Sequence, residues 1–140
     1  MGIRVKFLSF FRELFLYHSS SLEFRAKIYA AILLPKGQIS DKDYKILKEL
    51  ADEIYPKQPL RADLLVSITK EYVFRVNTYK EYTLDRLLKD IDYDLKHNKK
   101  FIQKINFQRL RCLINADSKG YALVQQRVYE FLLKEVEIYS

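Results

Sequence analysis

The sequence predicts an all-α protein, a compact bundle of about seven helices. The chain has only 3 Gly and 3 Pro among 140 residues, whereas a β-sandwich or β-barrel needs many turns. Its apolar residues recur every three or four positions along most of the chain, which is the period of an amphipathic helix. This length suits one domain, which we take to span residues 1–140.

The first two predicted helices differ in how much of their surface is apolar. Residues 1–18 form an amphipathic N-terminal helix, periodic over 3–17, with Phe7, Phe10, Phe11, Leu14 and Phe15 on one face. This face either packs on the bundle or lies in a membrane surface, as basic and aromatic amphipathic helices can. The second helix, residues 22–34, is apolar nearly all round in its second half. We expect it to be the central helix and to contact both the third and the last helices.

Capping residues and prolines locate the next two helices. Ser40 is followed three residues later by Asp43, a pattern similar to a capping box, and it begins the third helix. Pro56 and Pro59 end the third helix and begin the fourth, which covers residues 60–76.

Three further helices are predicted in the second half of the chain. Thr83 caps the fifth, which ends before the break at residues 97–100. The apolar residues of 101–114 indicate a sixth helix, and a seventh covers 122–138. The apolar face of the seventh helix consists of Val124, Val128, Phe131 and Leu132.

Positive charge is concentrated in one segment. The net charge is +7, and residues 96–120 alone carry +6. We expect its basic side chains to face solvent, because burying so many like charges without partners is costly. The predicted basic face comprises Lys96, Lys99, Lys100, Lys104, Arg109 and Arg111. It suits an acidic segment of a protein partner or an anionic membrane surface. Nucleic acid is disfavoured, because no helix-turn-helix, zinc finger or RNA-binding motif accompanies the charge.

Apolar contacts must give such a face its specificity, since exposed ion pairs contribute only about 0–1 kcal/mol each. The candidates for these apolar contacts are the tyrosines of a Tyr-rich connection, if it lies near the basic face. They are Tyr72, Tyr79 and Tyr82. The sequence does not indicate the oligomeric state.

The sequence does not favour an enzyme or a cofactor. It lacks the G-x-S-x-G, phosphate-loop and H-E-x-x-H motifs. Its single cysteine, Cys112, excludes an intrachain disulfide and lies in an apolar run, where we expect it to be buried. No apolar run reaches the roughly 18 residues of a membrane span. We therefore expect a cytoplasmic protein, either free or peripheral to the inner membrane.

A weak internal repeat links two parts of the chain. Residues 28–50 read as an apolar helix end, a Gly-containing loop and an amphipathic helix. Residues 110–120, together with the last helix, read in a similar way. Two such helix–loop–helix units suggest pseudo-twofold symmetry.

Around these loops the sequence resembles the TerB-like family, which includes tellurite-resistance proteins and the N-terminal domains of DjlA-type co-chaperones. The family loop reads Ala-Asp-Gly-x-Ile-Ser-x-x-Glu. The matching positions are Gly37, Ile39, Ser40 and Asp43 in the first unit and Ala116 and Asp117 in the second. The resemblance extends over roughly residues 22–139. It implies a non-enzymatic interaction module, acting in stress response or beside a J-domain.

The resemblance also implies that loop carboxylates are candidate metal ligands. In this chain Lys36 replaces the loop aspartate, and Asp117 has Lys119 beside it. A divalent cation needs several convergent oxygen ligands, some of them anionic. We therefore predict no metal site.

Overall fold

A computed structural model describes residues 20–114 and 120–140, and all regular secondary structure in these residues is helical. Helix accounts for 84% of them, which confirms the all-α prediction. The predicted N-terminal helix at 3–17 lies outside the described residues. The α-helices are α1 (Ser20–Leu33), α2 (Asp41–Ile54), α3 (Pro59–Thr78), α4 (Leu84–His97), α5 (Phe107–Leu110) and α6 (Tyr121–Tyr139). The 3-10 segments are Leu34–Lys36, Lys99–Lys104 and Arg111–Leu113.

Helix α1 is the central helix, as predicted. Its buried side chains are Leu22, Phe24, Ala26, Ile28, Tyr29, Ala30, Ala31, Ile32 and Leu33. It packs broadly on α3 and α4, and it contacts the last helix, α6, as expected. Its contact with the predicted third helix, α2, is smaller than expected and smaller than its contacts with α3, α4 and α6. The two meet at the end of α2, where Arg25 donates a hydrogen bond of 3.0 Å to the Tyr55 hydroxyl.

Local capping places several helix boundaries where the sequence predicts them. The Asp43 backbone N–H donates to Ser40 Oγ at 3.3 Å, and the Ser40 N–H donates to Asp43 Oδ2 at 2.9 Å. This reciprocal pair is a complete capping box. Thr83 Oγ1 accepts the Arg86 N–H at 3.1 Å at the start of α4, and Pro59 begins α3.

The prediction of a single sixth helix over 101–114 is wrong. The segment consists of a 3-10 segment, the short α5 and a second 3-10 segment. Asn98 and Asn106 accept backbone N–H groups of Lys100 and Arg109 at 3.1 and 3.2 Å, so each asparagine starts a new segment instead of continuing a helix. The predicted apolar positions are nevertheless buried at Phe101, Ile105, Leu110 and Leu113. The second helix–loop–helix unit therefore begins with short helical pieces.

The buried face of α6 differs from the predicted one at its first position. Val128 and Leu132 are buried and Phe131 is half-buried, but Val124 is 48% exposed. The neighbouring Gln125 takes the buried position instead.

Gln125 is buried because it satisfies backbone carbonyl groups. Its Nε2 donates to the Ile32 carbonyl at 2.8 Å and to the Leu113 carbonyl at 3.0 Å. Ile32 lies in the last turn of α1, where helix geometry leaves carbonyl groups without intrahelical partners. Gln125 therefore ties the end of α1 to the segment before α6.

We expect Gln125→Leu to lower the free energy of unfolding by about 1–3 kcal/mol, because it removes the donor that satisfies these buried carbonyls. Urea denaturation measures this change. Gln126→Leu, the same replacement at a half-buried position one residue later, should change stability by less than about 0.5 kcal/mol. Equal losses in the two variants would contradict this role.

Candidate functional site

The predicted basic face divides into two parts in the structure. Arg109 forms a two-point ion pair with Glu53, with its Nε and Nη2 at 2.9 and 2.5 Å from the carboxylate oxygens. Arg111 donates to the Tyr129 hydroxyl at 3.0 Å and lies over the same ring. These two arginines connect the segment around α5 to α2 and α6.

The lysines form the other part. Lys96, Lys99 and Lys100 are exposed, as predicted, and none forms an ion pair within the described residues. No acidic residue occurs between positions 95 and 116. Lys104 is half-buried and lines a small pocket beside Arg25. The solvent-facing charge of this region is therefore concentrated at the end of α4.

An aromatic pair lies in the same turn as the first of these lysines. The rings of Tyr93 and His97 stack with their centroids 3.9 Å apart, and Tyr93 is 61% exposed. His97 Nδ1 donates to the Tyr93 carbonyl at 2.9 Å, which fixes the imidazole against the helix end. We refer to Tyr93, Lys96, His97, Lys99 and Lys100 as the basic-aromatic surface. The aromatic pair was not predicted, although the four-residue spacing of Tyr93 and His97 on a helix is a signal that could have revealed it.

Two of the three tyrosines proposed as specificity contacts form hydrogen bonds within the fold. The buried Tyr72 hydroxyl donates to Glu23, and Tyr82 donates to Asp90 at 3.1 Å. Tyr79 is exposed, but it precedes the start of α4, whereas Lys96 is in the last turn. A helix of this length separates its two ends by about 20 Å, so Tyr79 adjoins the end of α4 opposite to Lys96.

Phe101, the residue that follows Lys100, lines a shallow pocket. It has a volume of about 200 Å³ and is lined by Ser20, Glu23, Phe24, Lys27, Asp94 and Phe101. The rings of Phe24 and Phe101 stack 4.6 Å apart, and Lys27 pairs with Asp94 at 2.8 Å. The pocket thus combines apolar walls with a charged border.

The loop before α2 contains a buried ion pair. Lys36 Nζ lies 2.6 Å from both carboxylate oxygens of Asp43, and both side chains are less than a tenth exposed. The Ser40 hydroxyl also donates to Asp43, at 3.0 Å. Burial raises the pKa of Asp43, but the hydrogen bonds from Lys36 and Ser40 outweigh burial and lower it overall. The lysine ammonium is therefore the cation that this carboxylate binds.

Of the two remaining family-loop positions, the structure describes Gly37 but not Asp117. Gly37 has a φ of 74°, a conformation that favours glycine. Asp117 lies outside the described residues. Within the described ranges no group of three or more His, Cys, Asp or Glu side chains could hold a metal ion.

A second buried polar contact joins α4 to α6. Burial and a hydrogen bond with Asp92 raise the pKa of Glu135 to about 7. Hydrogen bonds from Glu135 and Tyr139 lower the pKa of Asp92, and the Tyr139 hydroxyl donates to Asp92 Oδ1 at 2.6 Å. Glu135 therefore keeps its proton to a higher pH than an ordinary glutamate, whereas Asp92 favours the ionised form. No local sequence pattern indicates this contact, because its two residues lie 43 positions apart along the chain.

Cys112 is exposed, so the prediction of a buried thiol is wrong. The flanking Leu110 and Leu113 take the buried positions of this short helical segment and leave Cys112 on the outer side.

Comparison with known proteins found no matching family model, no similar curated protein and no similar solved structure. Among residues 20–114 and 120–140, no helix has the length and apolar character that crossing a membrane requires. Function must therefore be inferred from the side chains of this chain.

We expect Lys36→Met to lower the free energy of unfolding by about 3–5 kcal/mol, because it leaves the Asp43 carboxylate buried without its cation. The double variant Lys36→Met/Asp43→Leu should recover at least half of this loss. Urea denaturation tests both, and Lys42→Met provides an exposed control. A double variant as unstable as the single one would contradict a paired role.

The raised pKa of Glu135 predicts that the free energy of unfolding depends on pH. Its pKa is about 7 in the folded protein against an ordinary value of 4.5, so the folded state binds more protons between these values. Its contribution to stability is therefore present at low pH and is lost as the pH rises through 7. We expect Glu135→Gln, which keeps a donor for Asp92, to match the wild type near pH 5. Above pH 8 it should exceed the wild type by about 1 kcal/mol or more.

Urea denaturation near pH 5 and above pH 8 measures this difference. Glu137→Gln, an exposed neighbour in α6, is the control and should show no such trend. A difference between Glu135→Gln and the wild type that stays constant with pH would contradict a shared proton.

Proposed function

We propose that the protein is a non-enzymatic helical interaction module that binds an acidic segment of a partner protein through the basic-aromatic surface. One observation carries this proposal. Three exposed lysines lie within five positions, without ion pairs among the described residues and without an acidic residue in the following fifteen positions. Their positive charge is therefore available to a partner.

Helix electrostatics account for only part of this cluster. Lys96 and His97 lie in the last turn of α4, where the helix dipole favours cations. Lys99 and Lys100 come after the helix end, and the dipole effect fades beyond the last turn. These two lysines support binding of an external anionic group.

The surroundings of the lysines support a protein segment as that group. Exposed ion pairs contribute little affinity, so a specific partner needs an apolar anchor. The Tyr93 ring, which is 61% exposed one turn before His97, offers such a contact. A segment that alternates carboxylates with an apolar or aromatic side chain fits this arrangement.

The TerB-like resemblance supports a finer version of the proposal. It suggests a role in stress response or as the regulatory domain of a DjlA-type co-chaperone. The glycine turn and the capping box at residues 37–43 are compatible with the loop that carries this resemblance.

The experiment measures the binding of a fluorescein-labelled synthetic peptide, rich in Asp and Glu with two Leu residues, by fluorescence anisotropy. We expect Lys96→Gln/Lys99→Gln/Lys100→Gln to bind at least about tenfold more weakly, because each lost contact to a charged group costs a fraction of a kcal/mol or more. The wild-type affinity should fall as salt rises. The control Lys42→Gln/Lys45→Gln/Lys57→Gln changes the net charge equally at other exposed lysines.

Equal weakening in the two triple variants would show a general charge effect and contradict the proposal. Tighter binding to a single-stranded oligonucleotide than to the peptide would contradict it as well. Vesicles of anionic phospholipid test the alternative of a membrane-surface or scaffold protein. That alternative depends on the Phe-rich face of residues 3–17, outside the described residues, so vesicle binding lost in Phe10→Ser/Phe11→Ser would favour it.

A further inference from the structure

Helix α6 carries most of the exposed large apolar side chains among the described residues. Nine large apolar or aromatic side chains are exposed among the described residues, and five of them lie on this one helix. They are Tyr121, Leu123, Val124, Leu133 and Ile138. Single exposed apolar residues are common on proteins, but a contiguous group indicates a binding surface.

Three apolar side chains of α6 form a continuous line. Val124, Phe131 and Ile138 are spaced by seven residues, and at 100° per residue this spacing keeps them within about 40° of one another around the helix. Val124 is 48% and Ile138 60% exposed, and Phe131 is half-buried. We call these three residues the α6 stripe. A spacing of seven residues is the repeat with which one helix packs along another.

Basic residues border the α6 stripe. Arg127 and Lys134 lie next to it around the helix, and both are exposed without an ion pair in the described part of the chain. We propose that the α6 stripe binds an amphipathic helix of another protein, with an apolar face flanked by Asp or Glu residues. The apolar face would cover the stripe, and the acidic flank would pair with Arg127 and Lys134.

The charges argue against two other occupants. If a second copy packed antiparallel about Phe131, Arg127 of one copy would face Lys134 of the other, and two like charges would meet. A parallel pair would place this basic flank against Glu135, which is buried against Asp92. The Phe-rich residues 3–17 carry Arg4, Lys6 and Arg12 against one acidic residue, so they lack the acidic flank.

This inference does not depend on the basic-aromatic surface. The test uses two synthetic helical peptides with the same Leu positions, flanked by Glu in one and by Lys in the other. We expect the intact chain to bind the Glu peptide at least tenfold more tightly. Val124→Asp and Ile138→Asp should each weaken this binding at least tenfold.

The control is Leu133→Asp, which places the same charge at an exposed position of α6 outside the stripe and should change binding less than threefold. Circular dichroism shows whether each variant is folded. The variant Lys96→Gln/Lys99→Gln/Lys100→Gln should retain the binding, which separates this surface from the one proposed above.

Three outcomes would overturn the proposal. The first is no binding of the Glu peptide up to about 1 mM, where association is worth only about 4 kcal/mol. The second is weakening by Leu133→Asp equal to that by the stripe variants. The third is a dimer in light scattering that Val124→Asp converts to a monomer, because the occupant would then be a second copy.

Discussion

The fold depends on covering α1, a helix that is apolar on nearly every side. A helix of this kind is stable only when other elements exclude water from its whole circumference. Helices α3, α4 and α6 provide this cover, and burial is complete at Ala30, Ile32 and Leu33. The same burial removes water from the end of α1, so its carbonyl groups need partners from the protein. Gln125 is one such partner, and its place in the core follows from the position of α1.

The need to cover α1 also accounts for the buried ion pair that follows this helix. The chain leaves the core through a 3-10 segment and must turn within four residues to begin α2. Lys36 lies in that segment at 7% exposure, where an unpaired ammonium would be strongly destabilising. Asp43 supplies the opposite charge, and the capping box holds its carboxylate in place. The loop is thus organised around a cation of the chain itself, the Lys36 ammonium.

The sequence predicted features whose causes are local and missed those whose partners are distant along the chain. Ser40, Thr83 and Pro59 act within three or four residues, so their patterns located the helix starts. The hydrogen bond between Gln125 and the Ile32 carbonyl joins residues 93 positions apart, and no local pattern indicates it. Apolar residues were assigned to the core and polar residues to the surface. Val124 was therefore expected to be buried, although the polar Gln125 takes that position. For the candidate site, the lysines were predicted from charge alone. Which basic residues have partners among the described residues depended on the positions of Glu53, which binds Arg109, and Tyr129, which binds Arg111.

The Asp92–Glu135 contact connects the two proposed binding surfaces. Asp92 lies one turn before Lys96 in α4, and its partner Tyr139 directly follows Ile138 of the α6 stripe. Lys96 is close enough to help lower the pKa of Asp92. The Asp92 carboxylate therefore interacts with Lys96 on its own helix and with Glu135 and Tyr139 on α6.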